Sequence, residues 1–207
     1  MRPTPETIFR DCHRWSDYKT AIHLLSKKDK GNCFEALTKH YLELEPVHGT
    51  QLRHIWDLNR DDVPIRVRKH LNLPANDEGI DLIAETKEGH YWAIQCKYRT
   101  DESSSITRRE LSTFTDLAFN VCRNIDFALV STTAERHSHK FDLYEGKVGF
   151  CAGDIWRDLD EDFFRQVRAR IKVNHQSQYR RNRAHTNDGQ LKTHINTLSA
   201  IVSRAAK

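Results

Sequence analysis

The sequence predicts an α/β fold in which helices flank a central mixed sheet. Amphipathic stripes with helical spacing alternate along the chain with short runs rich in β-branched and aromatic residues. Hydrophobic residues make up 38% of the 207 residues, which is enough to build a core. The chain length fits one domain, or one domain with an appendage.

Amphipathic stripes predict the helices. In the clearest of these, apolar side chains recur on one face, and Pro46 is expected to close the helix. Thr107 and Glu110 have the spacing of a capping box at the start of another. The predicted helices span residues 17–27, 32–44, 107–123, 160–173 and 191–202.

Short apolar runs predict the strands, which span residues 51–56, 80–85, 91–97, 126–131 and 147–152. Gly89 lies in the short connection between the second and third runs, so these two are expected to form a hairpin. Because side chains alternate along a strand, Gln95 and Lys97 lie on the same face. If Asp81 faces that side too, a carboxylate, an amide and an amine converge on adjacent strands.

Composition excludes several classes of protein. No apolar run approaches the length of a membrane span, and the N-terminus lacks the apolar stretch of a signal peptide, so we expect a cytosolic, cytoplasmic protein. The five cysteines are widely spaced and contain no C-x-x-C pair, which argues against a disulfide framework or a zinc knuckle.

Charge divides the chain into an acidic body and a basic tail. Residues 1–162 carry a net charge of −5 and residues 163–207 carry +9. The arginines Arg180, Arg181 and Arg183 are expected either to contact a DNA backbone or to belong to a solvated linker. The last amphipathic stripe would pack on the body, join a longer polypeptide or form a homodimer. We therefore predict a domain at 1–160 and a basic helical extension or linker at 161–207.

The residues of the hairpin resemble those of a known family. Asp81, then Gln95-Cys96-Lys97, with Glu35 in the preceding helix, resemble the site of the PD-(D/E)XK (restriction-endonuclease-like) nucleases. Within them the Mrr-like group has glutamine at the second acidic position. The resemblance covers about residues 31–135. Within this family, the sequence is most similar to the N-terminal nuclease region of large bacterial restriction or defence helicases, although it has no Walker loop.

The resemblance implies an αβββαβ core and a site for Mg²⁺, with Mn²⁺ as an expected substitute. Asp81 would bind the ion directly, with the side-chain oxygen of Gln95 and the backbone carbonyl of Cys96 as further ligands. Lys97 would orient or deprotonate the attacking water. Glu35 would act through a metal-bound water.

Each of these residues also has an ordinary structural interpretation. Glu35 could be the capping-box partner of Asn32, and Lys97 could be a strand-end lysine that reaches solvent. Asp81 could lie on an exposed sheet face, but it sits in an apolar run where an unpaired carboxylate is costly. The nearby acids that compete with it are Asp77 and Glu78. Ser131 and Thr132, at a later strand end, are expected either to contact phosphate or to form a turn.

The predicted function is a Mg²⁺-dependent endonuclease, similar to type II or type IV restriction enzymes, that hydrolyses double-stranded DNA to 5′-phosphate and 3′-hydroxyl ends. Restriction of foreign DNA would be its antiviral role, with helicase or translocase domains of a longer polypeptide as partners. The alternatives are a catalytically silent DNA-binding or interaction module of the same fold, and a structure-selective resolvase or repair nuclease.

Overall fold

The computed structural model describes residues 3–60, 62–74, 79–137 and 146–173. Met1–Arg165 form one compact unit and Gln166–Lys207 a second. Several predictions lie outside the described residues: the acids Asp77 and Glu78, the tail arginines Arg180, Arg181 and Arg183, and the helix at 191–202. The assignment of 161–207 as an extension stays a prediction.

The described residues form both helices and strands. The helices are α1 (Pro5–Phe9), α2 (Trp15–Ile22), α3 (Lys27–Leu44), α4 (Pro46–Gln51), α5 (Ile65–Leu71), α6 (Arg108–Asp116), α7 (Asp154–Arg157) and α8 (161–173). The strands are β1 (Leu52–Asp57), β2 (Leu82–Thr86), β3 (Tyr91–Lys97), β4 (Ser105–Ile106), β5 (Phe127–Thr132), β6 (Arg136–His137) and β7 (Val148–Cys151).

Five strands form one sheet in the order β1-β2-β3-β5-β7. β2 is antiparallel to both β1 and β3, whereas β3, β5 and β7 run parallel. The predicted mixed sheet is therefore confirmed, and the order of α3, β1, β2, β3, α6 and β5 reproduces the expected αβββαβ core. β4 and β6 form a separate two-stranded sheet.

Helices cover both faces of the sheet. Ile83, Ala93 and Val130 pack with Leu111 and Phe114 of α6 in one buried cluster. The other face packs against α3, whose buried Thr38 bonds to the Ser131 hydroxyl of β5 at 2.7 Å. Alternation along each strand sends neighbouring residues to these two layers, so residues of β3 contribute to both.

Several helix boundaries differ from the prediction, among them those of α2, which spans Trp15–Ile22 instead of 17–27. α3 begins at Lys27, five residues early, because the Ser26 hydroxyl accepts the Asp29 N–H at 3.1 Å and caps it. Pro46 ends α3 and also opens α4, since its fixed φ suits the first position of a helix. The helix predicted at 107–123 ends as an α-helix at Asp116 and continues as a π-helical segment, Leu117–Val121.

The hairpin and the capping box are confirmed. Gly89 has φ +89° in the connection between β2 and β3. The Thr107 hydroxyl accepts the Glu110 N–H, and the Glu110 carboxylate accepts the Thr107 N–H at 2.9 Å. Among the described helices, none has the length and apolar character needed to cross a membrane.

Candidate active site

The predicted site lies where two strands of the sheet stop and two continue. The β1–β2 ladder ends at the pair Asp57–Leu82, and the β2–β3 ladder at the pair Leu82–Ile94. The β3–β5 ladder, by contrast, continues to the pair Lys97–Thr132. The last residues of β3 therefore extend past the end of β2, and their polar groups on that edge are available to Asp81, the residue before β2.

Backbone bonds hold Asp81 between the two neighbouring strands. Its N–H donates to the Ile94 carbonyl at 2.9 Å, and its carbonyl accepts the Leu58 N–H at 3.0 Å. The carboxylate Oδ2 accepts the Cys96 N–H at 2.5 Å. Because the backbone is fixed on both sides, the carboxylate stays at the fork between β2 and β3.

The carbonyl of Cys96 points to the same fork. Within a strand, the N–H and C=O of one residue leave on the same edge, and those of the next residue leave on the opposite edge. The Cys96 N–H faces the Asp81 carboxylate, so its carbonyl does as well. The Lys97 carbonyl faces the other way, where it accepts the Thr132 hydroxyl at 2.9 Å. The Cys96 carbonyl and the Asp81 carboxylate therefore lie on the same edge of β3.

Gln95 carries a buried oxygen that has no hydrogen bond. Its side chain is only 4% exposed, and the amide Nε2 donates to the Gly79 carbonyl at 2.8 Å. That bond fixes the orientation of the amide, and within the described residues its Oε1 has no partner. A buried acceptor left in this way costs about 1–3 kcal/mol. Gly79, at φ +117°, is required here because an added Cβ would lie 3.2 Å from Nε2.

Lys97 lies two residues beyond Gln95 on the same face of β3 and is half-buried. Its backbone is anchored through the Thr132 hydroxyl, so the start of the side chain is held at the end of the strand. The sheet therefore places Asp81, Gln95 and Lys97 at one end of adjacent strands.

Glu35 lies in the third turn of α3, with its side chain half-buried. The capping-box interpretation of this residue is wrong, because the helix begins at Lys27 and Asn32 is an interior residue. Burial is the main cause that raises the pKa of the Cys96 thiol, and the Asp81 and Glu35 carboxylates raise it further. Both carboxylates are thus close enough to the end of β3 to act on one thiol.

Sequence reasoning missed the turn that follows β1. Asp57, 9% exposed, accepts the Asn59 and Arg60 N–H groups on Oδ1 at 2.9 and 3.2 Å. Its Oδ2 pairs with the Arg60 Nε at 3.1 Å. Desolvation raises the pKa of Asp57, while the Arg60 charge opposes that shift. An aspartate two residues before an asparagine, just after a strand, is the signal that would have predicted this turn.

The turn contacts the backbone of Asp81 and the carboxylate of Glu35. Leu58 donates its N–H to the Asp81 carbonyl, and the Asn59 amide lies 3.5 Å from Glu35 Oε2. A buried aspartate therefore shapes the loop that contacts β2 on one side and α3 on the other. Asp57 is therefore placed to fix the position of Asp81 relative to Glu35.

Ser131 and Thr132 do not form the DNA contact predicted for them. Both are 0% exposed. The Ser131 hydroxyl bonds to Thr38, and the Thr132 hydroxyl donates to Lys97 and accepts the Ala134 N–H at 3.1 Å. Both side chains are buried and the Thr132 hydroxyl accepts the N–H two residues on, contacts that fit the alternative interpretation, a turn at the strand end.

The donor atoms at the fork suit a hard cation. Asp81, Gln95 and Cys96 supply a carboxylate, an amide oxygen and a backbone carbonyl, which are the oxygen ligands that Mg²⁺ accepts in proteins. The buried Gln95 Oε1 supports this assignment, because a cation would satisfy it. No three His, Cys, Asp or Glu side chains cluster as a metal site in the described part of the chain. The predicted set does not need such a cluster, since only two of its members are carboxylates.

A family model for a restriction endonuclease, Mrr_cat_2, matches residues 43–146, which is half of the chain. The chain belongs to this restriction endonuclease family. The matched residues of this family member include Asp81, Gln95 and Lys97, whereas Glu35 precedes them. No curated protein matches the chain.

Two solved structures resemble this restriction endonuclease. The first is an ATP-dependent Type ISP restriction-modification enzyme, LlaBIII, bound to DNA: the TM-score is 0.52 at 21% identity, over 71% of this chain and 8% of that one. The second is a protein of unknown function, AF1548, with a TM-score of 0.34 at 12% identity, over 65% of this chain and 67% of that one. The first likeness shows a shared restriction-endonuclease-like fold, and this chain spans about one-twelfth of that enzyme's length.

Proposed function

We propose that this protein is a Mg²⁺-dependent DNA endonuclease of a restriction system. The observation that supports it most is the buried Gln95 Oε1, which has no partner among the described residues and lies one residue before Cys96, whose N–H bonds to the Asp81 carboxylate. Three oxygen donors at one fork of the sheet form a partial coordination shell that a divalent cation would complete.

Bound Mg²⁺ would supply two things: neutralisation of charge at the scissile phosphate and activation of water as a nucleophile. Asp81 and Gln95 would hold the ion from β2 and β3. Lys97, on the same face as Gln95, would orient the attacking water and exchange a proton with it at Nζ. Glu35 would approach from α3 and add a second carboxylate to a site that glutamine leaves with one fewer negative charge.

The substrate proposed is double-stranded DNA. The Type ISP enzyme that shares the fold is ATP-dependent and bound to DNA. Since this chain corresponds to 8% of that enzyme, helicase or translocase domains of a longer polypeptide are proposed as its partners. A role in restriction of foreign DNA is proposed because the matching family model describes a restriction endonuclease.

Plasmid cleavage tests the proposal. Purified protein is incubated with supercoiled plasmid, with and without Mg²⁺ or Mn²⁺, and nicked and linear products are measured. We expect metal-dependent cleavage that Asp81→Ala and Lys97→Ala each abolish. Lys87→Ala is the matched control, because Lys87 is exposed and follows β2 at the end opposite Asp81.

The other outcomes separate the alternatives. Tight DNA binding without cleavage at high protein concentration, in the presence of either metal, would contradict the endonuclease and leave a silent binding module. Junction substrates cut far better than linear duplex would replace restriction with a structure-selective activity. Cleavage that survives in Asp81→Ala would show that the catalytic site lies elsewhere.

A further inference from the structure

A groove of about 490 Å³ opens between α2, α3 and the segment that follows β3. Its lining contains Leu24 and six residues with polar or basic groups: Lys19, Thr20, His23, Lys30, Tyr98 and Thr100. These side chains offer ammonium, hydroxyl and imidazole donors, which is the chemistry that recognises phosphate oxygens. None of these residues belongs to the set assigned to the proposed metal site.

The groove shares two structural elements with the proposed active site. In α3, Lys30 precedes Glu35 by five residues, or about 7.5 Å along the helix axis. Beyond β3, Thr100 follows Lys97 by three residues, at most about 11 Å of chain. Phosphates of one DNA strand are spaced about 3.4 Å along the duplex axis. Thr100 therefore lies within about 11 Å of Lys97, a distance that about three nucleotides span along the duplex axis.

The two lysines of the groove differ in how they are paired. Lys19 forms an ion pair with Glu102 at 3.2 Å and lies 6.0 Å from the centre of the Trp15 ring. Lys30 forms no ion pair with any residue that the structure describes. Its charge is therefore available to an anion, while that of Lys19 is partly neutralised.

Helix stability does not explain the lysines around the groove. Lys27, Lys28 and Lys30 lie in the first turn of α3. Cations at the start of a helix oppose its macrodipole and cost a few tenths of a kcal/mol each. A polyanion bound at this end of α3 would pair with these lysines and interact favourably with the helix dipole, so the local electrostatics would become stabilising.

The aromatic residue of the groove does not form a stacking platform. Tyr98 is half-buried and its ring packs against Phe34, with centroids 5.8 Å apart. Burial raises the pKa of its hydroxyl, which stays protonated and can donate. The groove therefore suits backbone phosphates rather than unpaired bases.

We propose that this groove binds the phosphate backbone of duplex DNA next to the bond that is cleaved, with Lys30 as its main contact and Lys19 as a weaker one. The position relative to the cleaved bond rests on the proposed function, whereas the phosphate contact does not. Such contacts add affinity without sequence preference and position the duplex.

Equilibrium binding of a fluorescent duplex, measured by anisotropy in EDTA over a range of salt concentrations, tests the proposal without any cleavage. We expect Lys30→Gln to weaken binding to every duplex and to lower the slope of log K against log salt by about 0.9, the value for one phosphate contact. Lys19→Gln should have a smaller effect, and the double variant should approach a decrease of about 1.8. Lys87→Gln, which removes the same charge at the far end of β2, should bind as the unmodified protein does.

Thermal unfolding of each variant confirms that the fold is retained, and Lys30→Gln is informative even if Lys19→Gln is unstable. Unchanged affinity and slope in a folded Lys30→Gln would overturn the proposal, as would an equal loss in Lys87→Gln. Loss of inorganic phosphate or ATP binding with normal duplex binding would make the groove a small-anion site and also overturn it. Failure of plasmid cleavage would contradict the endonuclease and leave these binding results intact.

Discussion

The neighbouring parallel strands β3 and β5 both end in polar residues, but they use them differently. At the end of β5, Ser131 and Thr132 are fully buried and every hydroxyl has a partner within the protein. At the end of β3, Gln95 is equally inaccessible, yet its Oε1 has no partner among the described residues. At the end of β5, the hydroxyls form a closed hydrogen-bond network. At the end of β3, the Gln95 oxygen is a buried acceptor that has no partner among the described residues.

The difference shows that polar residues at a strand end do not by themselves identify a site. A buried polar group normally finds a partner, because leaving it unpaired costs free energy. Among the described residues, the Gln95 oxygen stays unpaired one residue before Cys96, whose N–H bonds to the Asp81 carboxylate, and a bound cation would satisfy it. Saturation of hydrogen bonds, which only the structure reveals, therefore separates β3 from β5.

The largest expected effects come from one substitution at each strand end: the substitution in β3 should reduce cleavage, and the substitution in β5 should reduce stability. Gln95→Met keeps the side-chain volume but removes the amide oxygen, so we expect plasmid cleavage to fall at least about 100-fold. Ser131→Ala breaks the buried bond to Thr38 and should lower the free energy of unfolding by about 1–2 kcal/mol, with cleavage by the folded protein unchanged. Cleavage assays and urea denaturation of both variants measure the two effects. A loss of cleavage in Ser131→Ala equal to that in Gln95→Met would contradict the distinction.

Two glycines with positive φ test whether the Gln95 amide must be held in place. Gly79→Ala combines strain at φ +117° with a Cβ 3.2 Å from Gln95 Nε2, whereas an added Cβ at Gly89, φ +89°, has nothing within 4 Å. Both variants should lose about 1–2 kcal/mol of stability from the backbone alone. Only Gly79→Ala should also lose cleavage in the folded protein. Equal cleavage by the two variants would show that the Gly79 contact does not position the amide.

The smallest expected effect is a pH dependence of stability near the end of β5. Arg99 joins the end of β5 to α6, since its N–H donates to the Thr133 hydroxyl at 2.7 Å and its guanidinium pairs with Glu110. The backbone N–H of Thr107 is the main cause that lowers the pKa of Glu110 from its ordinary 4.5, and Arg99 adds to it.

A carboxylate whose pKa is lowered by folding stabilises the protein above its unfolded pKa, and that contribution is lost as the pH falls through the folded pKa. The difference in the free energy of unfolding between the unmodified protein and Glu110→Gln should therefore be greatest near neutral pH. It should shrink below about pH 4.5. Chemical denaturation at pH 7 and at pH 3 measures it, and a difference that grows at low pH would contradict the assigned cause.

Local patterns explain what could be predicted. The hairpin, α3, the capping box of α6 and the mixed sheet follow from periodicity and turn residues that are read within a few positions. Alternation along β3 was enough to place Gln95 and Lys97 on one face. The errors arose where several signals compete: Ser26 and Asn32 are both good helix caps, and only the first is used.

The sequence by itself determined that Gln95 and Lys97 share one face of β3 and that the hairpin resembles a nuclease site, because strand alternation and hairpin pairing are local properties. The tertiary structure alone decided that β2 stops short of β3, that Asp57 shapes the turn between Asp81 and Glu35, and that the hydroxyls of β5 are consumed internally. These features depend on which groups meet across distant parts of the chain. Burial and hydrogen-bond partners are properties of that assembly, and no window of sequence contains them.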